Sequence, residues 1–206
     1  MDNIISIIDT GCGNVGSVYR MIQKARGVAQ VCRHPSEICL RGKIVVPGVG
    51  HFDHGMEALS KHCFDAEFWD EVIKRDVPVL GICLGMQLLC RSSEEGTSHG
   101  LGLIKADVKK FRFAQEENLK VPHMGWNIVE PGVENPLIPN LETEQRFYFV
   151  HTYKVVPDDD NIVIGWANYG GVFCAAFQQK NIFGTQFHPE KSHHFGIELF
   201  SRFIAL

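Results

Sequence analysis

No stretch of this 206-residue sequence approaches the ~18 uninterrupted apolar residues that a membrane span requires. Its longest apolar run, Val77 to Cys90, is broken by Pro78, Gly81, Gly85 and Gln87. A basic leader is not expected either. Met1-Asp2-Asn3 is acidic and runs directly into Ile4-Ile5-Ser6-Ile7-Ile8, which is not the pattern of a secretory signal. Positive charge is not in excess: the net charge is −4, and the one run of like charge is Asp158-Asp159-Asp160. That balance argues against a general nucleic-acid or anionic-membrane surface. The seven cysteines form no C-x-x-C pair and leave an odd one under any pairing, so a disulfide framework is not expected and a reducing cytoplasm is the expected compartment. Internal repeats, low-complexity tracts and linkers are absent, and a single domain over 1–206 is expected.

What is present is an ordinary globular composition, 45% hydrophobic and 21% charged, in a chain long enough to bury a core without staples. The first half alternates buried strands with amphipathic helices. Strands are expected at Ile4–Asp9, Val28–Arg33, Lys43–Val46 and Val77–Ile82. Helices are expected from Asn14 to near Ala25, at Cys63–Lys74, where Phe64, Phe68 and Val72 form one face, and at Leu84–Cys90. This order predicts an α/β fold with a mostly parallel, twisted central sheet flanked by helices. The second half changes to hairpin-like strands at Asp107–Phe113, Trp126–Glu130, Arg146–Val155, Ile162–Ala167, Val172–Gln178 and Ile182–Gln186, an added antiparallel region. Gln115–Val121 is expected to be a mobile loop, and a helix at His194–Ala205 closes the chain.

Four segments bear on chemistry. Gly11-Cys12-Gly13-Asn14-Val15-Gly16 matches G-x-G-x-x-G between a strand and a helix. A dinucleotide site also needs an acid ending the second strand, where this chain has Arg33-His34-Pro35, so turn glycines explain the motif. Gly81-Ile82-Cys83-Leu84-Gly85 places a nucleophile between two glycines at a strand-to-helix turn, the G-x-Nu-x-G elbow. Such a turn projects the thiol from the sheet, sets it at a helix N-terminus and aims the Leu84 amide at a developing oxyanion. A buried cysteine in a tight turn would leave the same pentapeptide. His188-Pro189-Glu190 tips that balance, because a thiol needs a base and the base needs a partner to fix its tautomer. Pro47-Gly48-Val49-Gly50 follows the third strand, and its glycines allow backbone amides to turn toward an oxyanion. His51-Phe52-Asp53-His54 and His193-His194 lack a third ligand at metal spacing, so no metal or other cofactor is expected.

Taken together, Pro47–Gly50, Gly81-Ile82-Cys83-Leu84-Gly85-Met86-Gln87 and Gln186-Phe187-His188-Pro189-Glu190 resemble the class I glutamine amidotransferases. Asp9-Thr10-Gly11-Cys12-Gly13-Asn14, Pro122-His123-Met124-Gly125-Trp126-Asn127 and Tyr148-Phe149-Val150-His151-Thr152-Tyr153 narrow the resemblance to glutaminase subunits of imidazole glycerol phosphate synthase, across essentially the whole chain. Thr152 stands where serine is common, and Thr10 where many relatives carry an aromatic residue. The resemblance implies hydrolysis of L-glutamine to L-glutamate and ammonia by a Cys83, His188 and Glu190 triad. Glutamine and its oxyanion would be held by Gly48, Val49, Gly50, Leu84, Gln87, His151, Thr152 and Tyr153. It implies a (β/α)8 barrel synthase as partner, docked through Gly13, Asn14, His123, Met124, Gly125, Trp126, Asn127, Tyr148 and Lys191 in a heterodimer of histidine biosynthesis. Paralogous subunits that feed surface-sugar amidination share these motifs. From a different class, a scaffold or thiol sensor could keep the fold without catalysis.

Overall fold

The computed structural model describes residues 4–114 and 119–206. Its first half comprises β1 (Ile4–Ile8), α1 (Val15–Lys24), β2 (Val28–Cys32), β3 (Lys43–Gly48), α2 (Phe52–Lys61), α3 (Ala66–Lys74), β4 (Val79–Cys83) and α4 (Leu84–Leu88). The four strands pair in parallel in the order β2-β1-β3-β4. Alternate residues of these strands feed two apolar clusters. Ile5, Ile7, Val45, Leu80 and Ile82 pack with Val18 and Ile22 of α1. Ile44, Val46 and Val79 pack with Phe52, Trp69 and Val72 of α2 and α3. A strand buried on both faces has no polar side to show, which is why these segments read as near-continuous apolar runs.

The second half supplies β5 (Ser92–Ser93), β6 (Ala106–Lys110), β7 (His123–Pro131), β8 (Gln145–His151), β9 (Tyr153–Pro157), β10 (Val163–Asn168), β11 (Val172–Gln179), β12 (Ile182–Thr185) and α5 (His193–Ala205). The sheet continues from β4 through β12, β11, β10 and β7 to β8. Strand β12 runs parallel to β4, whereas β11, β10, β7 and β8 pair antiparallel with their neighbours. The expected α/β class with an antiparallel second half is therefore the observed one.

Three expectations change. Helix α2 was not among the expected elements; Gly55 in its middle is a poor helix former. In the fold His51 caps that helix, accepting the Asp53 N–H at 3.2 Å, and Gly55 lets it approach Leu88, whose carbons would lie 3.0–3.1 Å from an added Cβ. Helix α3 begins at Ala66 rather than Cys63, because the Asp65 carboxylate accepts the Phe68 N–H at 3.2 Å and sets the start there. The Arg146–Val155 run is two strands, broken at Thr152, with β8 paired to β7 and β9 paired to β6 and β11. Of the predicted Gln115–Val121 loop, 115–118 lie outside the described residues. Among the described residues no helix is long and apolar enough to cross a membrane.

Candidate active site

Strands β3, β4 and β12 are adjacent and parallel, so their carboxyl ends open on the same edge of the sheet, where α/β folds place their sites. The register pairs Gly48 with Cys83 and Ile82 with Thr185. Three sequence-distant segments, 48–50, 83–87 and 186–190, are thereby brought to one place.

Cys83 forms the elbow with φ 54° and ψ −108°, a left-handed conformation that costs a non-glycine residue energy and is retained only when its surroundings impose it. The imposing contact is the close approach of α4 to β3. A Cβ on Gly85 would sit 1.8 Å from the Val46 carbonyl oxygen, so only glycine fits. The helix that follows is five residues long, about one and a half turns, and the electrostatic help expected from a helix N-terminus is correspondingly small.

After β12 the chain passes Gln186 and Phe187 to His188, then turns through a short 3-10 segment, Pro189–Lys191. His188 Nδ1 lies 2.8 Å from Glu190 Oε1, with both side chains buried. The His188 backbone is held from two sides: its N–H donates to the Tyr148 carbonyl at 2.9 Å, and its carbonyl accepts the Ser192 hydroxyl at 2.6 Å. The other ring nitrogen, Nε2, is buried and has no hydrogen-bond partner of normal geometry among the described residues. Burial opposes a charge on His188, but nearby Cys83 and Glu190 outweigh it and raise the pKa to about 9. An imidazolium is thus favoured at neutral pH, with Glu190 on one nitrogen and Cys83 Sγ on the side of the other.

A cavity of about 290 Å³ opens over Cys83. Val49, Gly50, Leu84, Gln87, Val150, His151, Thr152, Tyr153 and His188 line it, all from segments the sequence reading had singled out. Gly48 does not line it; an added Cβ there would lie 2.6 Å from the Gly85 amide nitrogen, so its smallness serves the packing of β3 on the elbow. Two lining residues, Glu95 and Pro122, were not anticipated. Glu95 is brought in by a loop that Asp53 anchors, accepting the amides of Thr97 and Ser98 at 2.9–3.1 Å, while Glu95 itself accepts the Phe52 N–H at 2.9 Å. Gln186 was missed as well: its Nε2 lies 3.9 Å from Cys83 Sγ, and its Oε1 accepts Gln87 Nε2 at 3.0 Å. Its place two residues before His188 in an extended segment was the available signal.

The glycine loop that mimicked a dinucleotide motif has a different role here. The Val49 N–H donates to the Cys12 carbonyl at 2.7 Å, so this amide points away from the cavity. A Cβ on Gly13 would meet Pro47 O at 2.9 Å, which shows how tightly the loop lies on the Pro47–Gly50 segment.

Of the residues expected at a docking face, Met124 and Trp126 are 62% and 47% exposed, and Asn14 and Lys191 are exposed. Trp126 stacks on His193 and pairs across strands with half-buried Tyr148, over which Lys191 sits at 5.8 Å. Gly125, with φ +133°, and Asn127 are half-buried. His123 is the correction. It alternates to the opposite side of β7 and is 3% exposed, so its side chain lies inside this chain and not on the outer face with Met124 and Trp126.

The glutamine amidotransferase class-I family model matches residues 6–205. Imidazole glycerol phosphate synthase subunit HisH of Leptospira interrogans is 45% identical, over 98% of this chain and all of its own length. Subunit HisH 2 of Pseudomonas aeruginosa is 43% identical with the same coverage. Among solved structures, a chain of PurLQS from Thermotoga maritima superposes with a TM-score of 0.70 at 18% identity, covering 100% of this chain and 99% of that one, a likeness of fold.

Proposed function

The chain belongs to the class-I glutamine amidotransferase family, among relatives that are HisH subunits of imidazole glycerol phosphate synthase, and on that premise we propose how its residues perform the glutaminase reaction. The observation that carries the reading is the juxtaposition at one sheet edge of a strained cysteine, Cys83, with a buried histidine held by a buried carboxylate, His188 and Glu190.

Cys83 Sγ, its proton held on His188 Nε2, attacks as the thiolate on the side-chain carbonyl carbon of glutamine, and the carbonyl π pair moves onto oxygen. Glu190 accepts the Nδ1 hydrogen of His188, so Nε2 is the nitrogen that works on the substrate side. The proton on Nε2 passes to the departing nitrogen, ammonia leaves, and a γ-glutamyl thioester remains on Cys83. Neutral His188 then takes a proton from water, the hydroxide adds to the thioester, and the thiolate leaves with glutamate as product. Glutamine carries an α-ammonium, and Glu95 is the carboxylate in the cavity that complements it.

The oxyanion requires amide donors, supplied by Leu84 and by the Val49–Gly50 segment. In the structure the Val49 amide is engaged by Cys12, so the chain rests with one donor turned out. Gly50, at φ +106°, supplies the freedom for that peptide to rotate. One oxyanion donor is worth about 2.7–4 kcal/mol, so turning it out suppresses turnover by ~10²–10³. A (β/α)8 barrel synthase docking on Met124, Trp126, Tyr148, Lys191 and Asn14 would favour the turned-in arrangement and receive the ammonia. The complex would then yield imidazole glycerol phosphate and aminoimidazole ribotide, in the cytoplasm, with this chain acting as one domain over 1–206.

The test is glutamine-dependent ammonia release by the purified chain with and without the barrel synthase and its substrate. Cys83→Ala should abolish release, while the synthase still uses added ammonium salt. Ammonia from glutamine in Cys83→Ala would reject the nucleophile. Full activity in the isolated chain, indifferent to any synthase, would reject the gate.

A further inference from the structure

Behind the docking strand, on the side that His123 faces, lies an unbroken line of polar groups sleeved in aromatic rings. The line can be oriented atom by atom. His151 Nδ1 lies 2.7 Å from the Tyr153 carbonyl, which only accepts, so this nitrogen carries the hydrogen. His151 Nε2 lies 2.9 Å from His123 Nδ1. In a neutral His151 ring, Nε2 is an acceptor, so His123 Nδ1 is the donor. His123 Nε2 then accepts from Asn127 Nδ2 at 3.3 Å. The Asn127 amide cannot flip without loss, because its Nδ2 also donates to Asn168 O at 2.9 Å and its Oδ1 accepts the Ile128 N–H at 2.8 Å. Each donor meets an acceptor in one direction only. A proton added to His151 would set two N–H groups against each other at 2.9 Å.

The surroundings agree with a neutral pair. His151 and His123 are 5% and 3% exposed. Phe149 and Tyr169 stack on His123 at 4.9 and 4.1 Å, and Phe111 lies 5.3 Å from His151. The nearby cations are His188, on the cavity side, and Lys154, which sits over Phe111. Among the described residues, no carboxylate is among the groups that act on either ring. Burial accordingly lowers the pKa of His123 to about 4 and of His151 to about 3.

At its other end the line reaches the nucleophile. The Tyr153 carbonyl also accepts Gln87 Nε2 at 3.3 Å. Gln87 Nε2 donates in addition to Gln186 Oε1 at 3.0 Å, and Gln186 Nε2 points at Cys83 Sγ at 3.9 Å. We propose that the neutral His123–His151 pair is a positioning element, which fixes the Tyr153 carbonyl and through it the Gln87–Gln186 amides that donate toward Cys83. This assignment rests on the reading of Cys83 as nucleophile. It gives the inward-facing His123 a role that a docking residue would not have.

The experiment pairs His123→Phe with His123→Asn. Phenylalanine keeps the stack on Phe149 and Tyr169 but leaves His151 Nε2 without a donor, whereas asparagine returns an N–H near the Nδ1 position. For a buried acceptor deprived of its donor, kcat/KM for glutamine should fall about tenfold in His123→Phe. It should recover to within about threefold of wild type in His123→Asn, measured on the chain with its synthase bound. An unchanged His123→Phe, or equal losses in both variants, overturns the proposal. Should His123→Phe not fold, long-range ¹⁵N–¹H spectra of the wild-type chain decide. Both histidines should be neutral at pH 6 and carry hydrogen on Nδ1, the minor form of free imidazole. The opposite tautomer, or a charged ring at that pH, overturns it. The spectra need no turnover, so a chain with these tautomers but no glutaminase activity would count against the proposed function alone.

Discussion

The two halves of the sheet divide the labour. The parallel half, β1 to β4 with β12, holds the reacting groups by backbone geometry that scarcely admits another residue: Gly85 against Val46, and Cys83 in a left-handed turn. The antiparallel half, β7 to β11, contributes a cavity wall, a surface of exposed apolar side chains and the buried histidine pair. On the proposed reading, chemistry is fixed where strands end side by side. Modulation, on the same reading, would be carried where a hairpin presents one face outward and the other toward the cavity. A two-sided hairpin can respond to something outside while touching something inside, which strands covered on both faces cannot.

Substitutions should respect this division. His188→Ala, at the parallel edge, is expected to lower turnover by ~10²–10⁴ in an assay of ammonia release. A comparable loss of basal turnover from a docking-face variant would break the comparison. Glu190→Gln should cost less and also change shape with pH. His188 must hold a proton to pass it on, and its pKa stands near 9, so wild-type turnover should persist through neutrality and fall as pH rises through about 9. Without the Glu190 carboxylate the falling limb should move to lower pH; an unmoved limb would deny Glu190 its electrostatic part.

How much of this was legible in the sequence depended on whether a feature is local. The elbow and the His-x-Glu segment are short and each is ambiguous alone, but together they point to one chemistry, so the expectation could be formed from the sequence. Gln186 carried only the weak signal of its place two residues before His188, while Glu95 and the Cys12 carbonyl acquire theirs through tertiary contacts, when the 93–98 loop folds under Asp53 and the loop at Cys12 meets Val49. His123 was misplaced for a related reason. It sits in the same short motif as Trp126, but a strand turns alternate side chains to opposite faces, and motif membership does not say which.

Smaller effects sharpen the contrast. Gly85→Ala should destabilise the fold by about 1–3 kcal/mol, read from the urea midpoint, because its new Cβ would press on backbone rather than on a side chain that can move. Trp126→Ala should weaken synthase affinity by roughly 2 kcal/mol in a titration, as for a central aromatic anchor, while the isolated chain keeps its slow turnover. The least effect is on acid stability. His123 and His151 titrate lower in the folded chain than the ordinary value near 6.5, so the unfolded chain binds protons first and stability declines as pH falls from about 6.5 toward 4. In His123→Asn the decline of Tm over that window should be shallower. An identical slope would mean that the pair is not desolvated as the structure has it.

The bond from Val49 to Cys12 has a genetic corollary. If the idle arrangement is what the native loop enforces, idleness is inherited with the fold and needs no inhibitor. Damage to the loop around Gly13 would then surface as gain rather than loss. A lineage carrying such an allele would leak ammonia and drain its glutamine pool, and would pass a simple growth test wherever the docking contacts at Asn14 survive. Selection on that loop would be visible only when nitrogen is scarce.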